Sequence, residues 1–266
     1  MKKLKNMKTV ILAGGYGTRM AEFSCLMPKP LVRIGDMPIL CHIIRLYAAY
    51  GVSEFIIALG YKGDRVKEYF RQSPAVQISR SDDAPDNEIK NEVVTWGKDN
   101  LIINLVDTGL NTQTGGRLKR LRKLLAHDRT FFLTYGDGLA DINIMALLDF
   151  HSSHGKKATV TAVRPPEQFG RLLLEGERVT AFQEKISDGQ VWINGGFFVL
   201  DTQVLDYIDG DQTVWEKKPL EKLAAEGELM AFRHHGFWHC VDTMKDKTKA
   251  EDMWLKGTAP WKVWED

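Results

Sequence analysis

Apolar residues along the chain fall into short runs closed by glycine, alternating with stripes at helical spacing. Residues 9–13 form such a run ahead of Gly14-Gly15, which predicts a buried strand entering a loop. Residues 38–50 carry Ile39, Ile43, Leu46 and Tyr50 on one helical face, and Gly51 follows as a stop. Residues 54–59, with Phe55, Ile56 and Ile57, predict a second buried strand ended by Gly60, and residues 64–70 a helix. This order of strand, loop, helix, strand and helix predicts a doubly wound α/β sheet.

The pattern is then interrupted. Residues 73–100 are polar, with Asp82, Asp83, Asp86, Glu88 and Glu92 and few large apolar groups before Val93, and read as a partly flexible insertion. Order returns at residues 101–106. A helix is expected over 116–127, with Leu118, Leu121, Leu124 and Leu125 on one face, and then a buried strand over 130–135. A helix over 142–154 and a β-branched strand over 158–163 complete the core. From Phe169 the texture is β-rich, with strands expected over 171–174, 179–184 and 192–200, then a helix over 213–226. The last stretch is rich in tryptophan (Trp254, Trp261, Trp264). The expected organisation is one domain over 7–266. It has an αβα-sandwich core to about residue 165, and an added β-rich region with C-terminal helices over 166–266. Residues 1–6 read as an extension.

Composition narrows the function classes. The chain has 266 residues, 44% of them hydrophobic, and a net charge of +1, with acids and bases interspersed. That allows a substantial core and points away from nucleic acid. Residues 1–8 are basic like a signal n-region, but the apolar run after them is too short for a signal, and no run approaches a membrane span. A cytoplasmic protein without a membrane partner is expected. Cys25, Cys41 and Cys240 match no zinc or redox spacing, so free thiols are expected. The pairs His151/His154 and His235/His239 have metal-compatible spacing but no partners in pattern, and read as surface or core histidines.

Several constellations can carry chemistry. Leu12-Ala13-Gly14-Gly15-Tyr16-Gly17-Thr18-Arg19 places three glycines directly after a buried strand. There the backbone can approach an anion with its N–H groups, and Arg19 can clamp a phosphate. An ordinary glycine turn would have the same look. Pro28-Lys29-Pro30 holds one lysine in a stiffened backbone, as a phosphate or leaving-group cation or as a lysine exposed in a turn. Tyr135-Gly136-Asp137-Gly138 puts a carboxylate where open α/β sheets place ligands, and hard oxygen ligands suit Mg²⁺. Asp242 is the candidate second carboxylate. Thr112-Gln113-Thr114-Gly115-Gly116-Arg117 puts glycines before a helix, an N-terminus suited to an anion or a base edge, or else a helix-entry loop with Arg117 in solvent. Glu184-Lys185 and Asn194-Gly195-Gly196 can serve a phosphate and sugar hydroxyls, or form a salt bridge and a strand turn.

Together these motifs resemble the sugar nucleotidyltransferase superfamily, and within it the glucose-1-phosphate cytidylyltransferases. The stretches that carry the resemblance include MKTVILAGGYGTR, PKPLVRIG, DTGLNTQTGGRLKR, FLTYGDGLADI, VTAFQEK, WINGGFFVL and APWKVW. The resemblance implies a Rossmann-like doubly wound mixed sheet and the reaction CTP + α-D-glucose 1-phosphate → CDP-glucose + pyrophosphate. It implies that residues 12–19, Thr112, Arg117 and Gly136 bind the nucleotide. Asp137 and Asp242 would hold Mg²⁺, and Glu184, Lys185 and Asn194 would bind the sugar phosphate. Arg19, Lys29 and Lys185 would be the catalytic cations, in a homo-oligomer. Met27 stands where the family usually has lysine, Tyr16 where leucine is usual, and His239-Cys240 where Gln-Pro precedes Val-Asp. Three readings stay open: this reaction, the same chemistry on another phosphorylated substrate or with UTP or dTTP, and a nucleotide-binding module without catalysis.

Overall fold

The computed structural model describes residues 4, 6–17, 27–72, 77–81, 91–164, 171–175, 178–183 and 192–265. Strand β1 (Lys8–Ala13) leads past the short β2 (Arg33–Ile34) and β3 (Met37–Pro38) to helix α1 (Ile39–Ala49) and strand β4 (Glu54–Leu59). Helix α2 (Gly63–Arg71) precedes β5 (Gln77–Ser81), β6 (Asn91–Trp96) and β7 (Leu101–Asp107). Next come α3 (Thr114–Arg120), β8 (Thr130–Tyr135), β9 (Gly138–Ala140), α4 (Ile144–His154) and β10 (Ala158–Val163). The chain continues through β11 (Arg171–Glu175), β12 (Arg178–Gln183), β13 (Ile193–Asn194) and β14 (Phe198–Asp201). It ends with α5 (Lys218–Ala225), β15 (Leu229–Arg233), β16 (Trp238–Cys240) and α6 (Met244–Leu255).

Among the described residues, one 10-stranded sheet runs β13-β10-β14-β8-β1-β4-β7-β6-β5, with β15 also on β10. Strands β1, β4, β7 and β8 are mutually parallel where they touch, while β6 and β14 run against them. The sheet is mixed and doubly wound, as expected. Strands β13 and β14 meet one edge of β10 at Ala162↔Asn194 and Ala158↔Leu200, so they are two halves of one interrupted strand. Strand β15 lies parallel along the other edge of β10.

Alternation along the central strands builds the layers. Ile11 and Ala13 face a core shared with α1, α2 and α4, through Ile39, Ile43, Val66, Phe70 and Leu147. Val10 and Leu12 face the opposite core, made with Leu118 and Leu121 and with Leu223 of α5. Strand order reverses beside β1. The chain steps outward from β1 to β4 and β7, with α1 and α2 on one face. It then crosses on the other face through α3 to β8, on the far side of β1. Such a reversal opens a crevice at the carboxyl ends of the two strands.

Several elements differ from the sequence pattern. Segment 73–100 is not an insertion in its described part, because β5 and β6 extend the sheet edge. The inward positions of β6 are Glu92, Val94 and Trp96, and a buried glutamate broke the apolar alternation. Glu92 is tolerated there because Arg71 meets it with two nitrogens at 2.8 and 2.5 Å. The strand expected over 192–200 is divided by Gly195, Gly196 and Phe197, and the helix expected from 213 begins at Lys218, next to Pro219. Strands β13, β14 and β15, from beyond residue 165, complete the main sheet, whereas β11 and β12 pair with each other. Leu4, in the expected extension, is fully buried against the first core. No helix among the described residues is long and apolar enough to cross a membrane.

The tryptophan-rich end docks on α1. Trp261 Nε1 donates to His42 Nδ1 at 3.2 Å, and His42 Nε2 sits 2.9 Å from the Ile34 carbonyl. His42 is therefore neutral with its proton on Nε2, and burial holds its pKa down from 6.5 to about 4. The unfolded chain takes up a proton at this residue near pH 6.5, while the folded chain resists until about pH 4. Stability from this site is complete above about pH 6.5 and is lost as pH falls to about 4, by roughly 3 kcal/mol. Denaturant unfolding followed from pH 7.5 to 4.5 should show this decline. His42→Gln should flatten the limb in part, leaving the share of His151, which burial and His154 also hold at about 4. An unchanged slope in that variant would remove His42 from the account.

Candidate active site

The crevice beside β1 and β8 is a cleft of about 870 Å³. Leu12, Ala13, Gly14, Gly15, Tyr16 and Gly17 line it, as do Lys29, Thr112, Arg117, Gly136, Asp137, Asn194 and Asp242. Residues from widely separated motifs therefore meet in one place. Thr18, Arg19, Glu184 and Lys185 lie outside the described residues, as does Cys25.

Asp137 and Asp242 were separate sequence signals, and backbone pairing joins them. Strand β16 pairs antiparallel with β9 through Cys240↔Gly138, and the Val241 N–H donates to the Asp137 carbonyl at 3.0 Å. Asp242 is then held at the entrance of α6, where Thr243 and Asp246 form a reciprocal capping box. The Lys29 ammonium enters between the two carboxylates, 2.6 Å from Asp137 Oδ2 and in contact with Asp242 Oδ1. Burial alone would lower the Lys29 pKa, but the Asp137 and Asp242 carboxylates outweigh it and the net shift is upward. Lys29 stays charged and offsets the repulsion of the pair. The cation expected at a phosphate is thus seated on the carboxylates expected at a metal.

The donor set fits a hard divalent cation. Asp137, Asp242 and Cys240 each offer a ligand atom, all within 4.8 Å of one another. Burial and the neighbouring Asp137 push the Cys240 thiol well up, and the two carboxylates are the hard oxygen ligands of the set. An incoming cation and the Lys29 ammonium would compete for the same oxygens.

The glycine loop is anchored from below by Arg117. This side chain is not in solvent: it is 4% exposed and lies beneath the loop at the cleft wall. Its Nη1 reaches the carbonyls of Leu59 (2.8 Å) and Gly109 (2.7 Å) and Thr108 Oγ1 (2.8 Å). Its Nη2 donates to the carbonyls of Gly14 (3.0 Å) and Leu110 (3.3 Å). A β-carbon on Gly14 or Gly60 would overlap the guanidinium, so these glycines make room for the arginine. The Gly14 carbonyl is thereby fixed from below, with the Tyr61 N–H as a second donor at 3.2 Å. Above the loop, the Tyr16 hydroxyl donates to Asn111 Oδ1 at 3.0 Å and its ring lies 5.1 Å from that of Tyr61. The Tyr16–Asn111 bond joins the glycine loop to the loop before α3.

Asn194 stands at the other side. Gly196 and Phe197 take positive φ (76° and 46°), and this break between β13 and β14 lets the Asn194 side chain fold back. Its Oδ1 accepts from the Gly196 N–H at 2.8 Å and its Nδ2 donates to the Tyr135 hydroxyl at 3.1 Å. Gln212, Glu216 and Trp238 line the cleft from outside every singled-out motif, whereas Thr114 and Tyr135 lie inside motifs that were read for their neighbours. No local pattern marks Gln212, Glu216 or Trp238. The histidine pairs are structural, since His151 Nδ1 meets Thr159 Oγ1 at 2.9 Å and His239 Nε2 meets the Asp246 carbonyl at 2.9 Å.

Comparison with known proteins agrees with this geometry. Residues 8–256 match the family model described as nucleotidyl transferase. The chain is 48% identical over 262 residues to the glucose-1-phosphate cytidylyltransferase of Salmonella typhi, covering 97% of this chain and 100% of that protein. It is 31% identical over 262 residues to mannose-1-phosphate guanyltransferase beta-B of Xenopus laevis, covering 94% of this chain and 65% of that protein. Among solved structures, HddC from Yersinia pseudotuberculosis superposes with a TM-score of 0.66 at 22% identity, over 93% of this chain and 99% of that one, which supports the fold.

Arg117→Met keeps the stem and removes the fork. Leaving buried carbonyls of the loop unpaired should lower stability by roughly 2 kcal/mol or more, measured by denaturant unfolding. An unchanged midpoint would show that the guanidinium does not hold the loop.

Proposed function

The chain belongs to the nucleotidyl transferase family, and from that premise we propose that it joins CTP to α-D-glucose 1-phosphate, making CDP-glucose and pyrophosphate. The observation that carries this reading is the Asp137–Lys29–Asp242 constellation, set between the glycine loop and Asn194 in one cleft. Two polyanions must approach each other there. A phosphate oxygen of the sugar 1-phosphate attacks the α-phosphorus of the nucleotide in line, and pyrophosphate leaves. The protein's task is positioning and charge compensation, and no covalent enzyme intermediate is required.

In this reading the glycine loop, residues 12–19, receives the nucleotide, with Thr112 and Gly136 beside it. Arg117 contributes by holding that loop. Asp137 and Asp242 would hold Mg²⁺, which would neutralise phosphate charge and polarise the reacting phosphoryl group. Lys29, released from the carboxylates, meets the phosphates. Arg19 and Lys185 are assigned to phosphate oxygens, and Glu184 and Asn194 to the sugar. A cytoplasmic setting and a homo-oligomer belong to the same reading, and the free Cys41 and Cys240 thiols suit a reducing compartment.

Purified protein with Mg²⁺ should release pyrophosphate fastest from CTP and glucose 1-phosphate, in a panel that also holds UTP, dTTP and GTP with other sugar 1-phosphates. A different preferred pair would keep the chemistry and replace the substrate, a shift for which the Xenopus relative is a precedent within the family. Nucleotide binding with no pyrophosphate from any pair would overturn the enzyme reading. Asp137→Asn should cut Mg²⁺-dependent turnover on the order of 100-fold while the melting temperature stays within a few degrees. Near-normal turnover would remove Asp137 from the metal site.

A further inference from the structure

Glu216 lines the cleft two residues before α5, and no motif contains it. Both of its carboxylate oxygens are engaged from the cleft wall. The Tyr135 hydroxyl donates to Oε1 at 2.7 Å, and the Thr114 hydroxyl donates to Oε2 at 2.6 Å. Thr114 is the first residue of α3, directly after the Thr112-Gln113 segment on the nucleotide side. Tyr135 in turn receives the Asn194 amide on the sugar side. One continuous chain of hydrogen bonds, Thr114–Glu216–Tyr135–Asn194, therefore crosses the cleft wall.

The chain has a fixed polarity, set at one end by Glu216 and at the other by the Gly196 N–H. An ionised carboxylate only accepts, so Tyr135 must give it its single proton. Burial and the nearby Glu216 charge push the Tyr135 pKa far up, which keeps that proton in place. The tyrosine oxygen can then only accept from its other neighbour, and Asn194 must present its NH₂ group there. The Gly196 N–H, a donor, requires the Asn194 carbonyl oxygen at the opposite end. Both ends of the amide are assigned, and one Nδ2 hydrogen is left for a ligand.

We propose that Glu216 is a positioning residue for the sugar 1-phosphate: through Tyr135 it fixes the Asn194 amide so that an N–H faces an oxygen of the sugar or its phosphate. This rests on the function proposed above and deepens it. Glu216→Gln keeps the size of the side chain but lets it donate to Tyr135. The Gly196 N–H still holds Oδ1, so the amide keeps its sense, but the Tyr135 hydroxyl loses its charged acceptor and Nδ2 loses a firmly held oxygen to donate to, which leaves the amide fixed at one end only.

The test uses the full chain with Mg²⁺, CTP and glucose 1-phosphate, or whichever pair the wild type turns over. Glu216→Gln should raise the KM for the sugar 1-phosphate about tenfold, leave the KM for the nucleotide within about twofold, and keep the melting temperature within a few degrees. Tyr135→Phe, which removes the relay from the other side, should give the same split, and the double variant should be no worse than either single one. The proposal is overturned if the sugar KM is unchanged. It is also overturned if both KM values rise together with a loss of thermal stability, the mark of a loop anchor, or if the two substitutions add. Should Glu216→Gln not fold, Tyr135→Phe decides by the same split. If calorimetry shows that the wild type binds no sugar 1-phosphate, the functional reading falls and takes this proposal with it. A working wild type with an unmoved variant sinks the Glu216 proposal alone.

Discussion

Strand β1 is hydrogen-bonded along both edges by parallel neighbours, with Leu12 opposite Ala58 on one side and Tyr135 on the other. The pairing with β8 determines where everything else in the site stands. Because β8 is reached by a crossover on the opposite face from α1, no helix among the described residues covers the gap at the carboxyl ends of β1 and β8. The Gly136 N–H donates to the Leu12 carbonyl at 3.0 Å, so the glycine loop and the Asp137 turn leave the sheet side by side. The cleft is the space that these two exits cannot fill.

Around that gap, two buried cations do different work, and their chemistry separates them. Arg117 is a planar fork that satisfies several carbonyls at once and so shapes backbone. Lys29 is a compact charge that fits between two carboxylates. One gives the loop its form, and the other makes the acidic pair tolerable before a substrate binds. Neither carboxylate is stranded, because the β9–β16 ladder and the α6 capping box hold both backbones independently of any cation.

Acidic residues carry three unlike roles in this fold. Glu92 is buried in an edge strand and is neutralised by Arg71. Asp137 and Asp242 face each other across a lysine. Glu216 collects hydroxyl donors and orders an amide through them. In sequence Glu92 and Glu216 are single letters in polar surroundings, whereas Asp137 follows an apolar strand. Their roles follow from what a donor or a cation can reach, which is a matter of packing.

The amino-acid sequence by itself determined the layered α/β sheet and the residues at its strand ends. Both rest on short-range rules, since an apolar run closed by glycine can do little but form a buried strand that leaves the sheet. Residues 54–59 and 130–135 were legible to their bounds for that reason. Short-range rules fail where the stabilising partner is distant. Strand β6 hid because its inward Glu92 depends on Arg71, and α6 because only Ala250 of its length is buried, although Thr243-x-x-Asp246 was a readable cap. The tertiary structure alone decided that Asp242 meets Asp137, that Arg117 lies under the loop, and that Glu216 enters the cleft. Each contact joins residues tens to over a hundred positions apart. Pairing at that range is governed by strand register and by the direction of single hydrogen bonds, neither of which leaves a periodic trace in the chain.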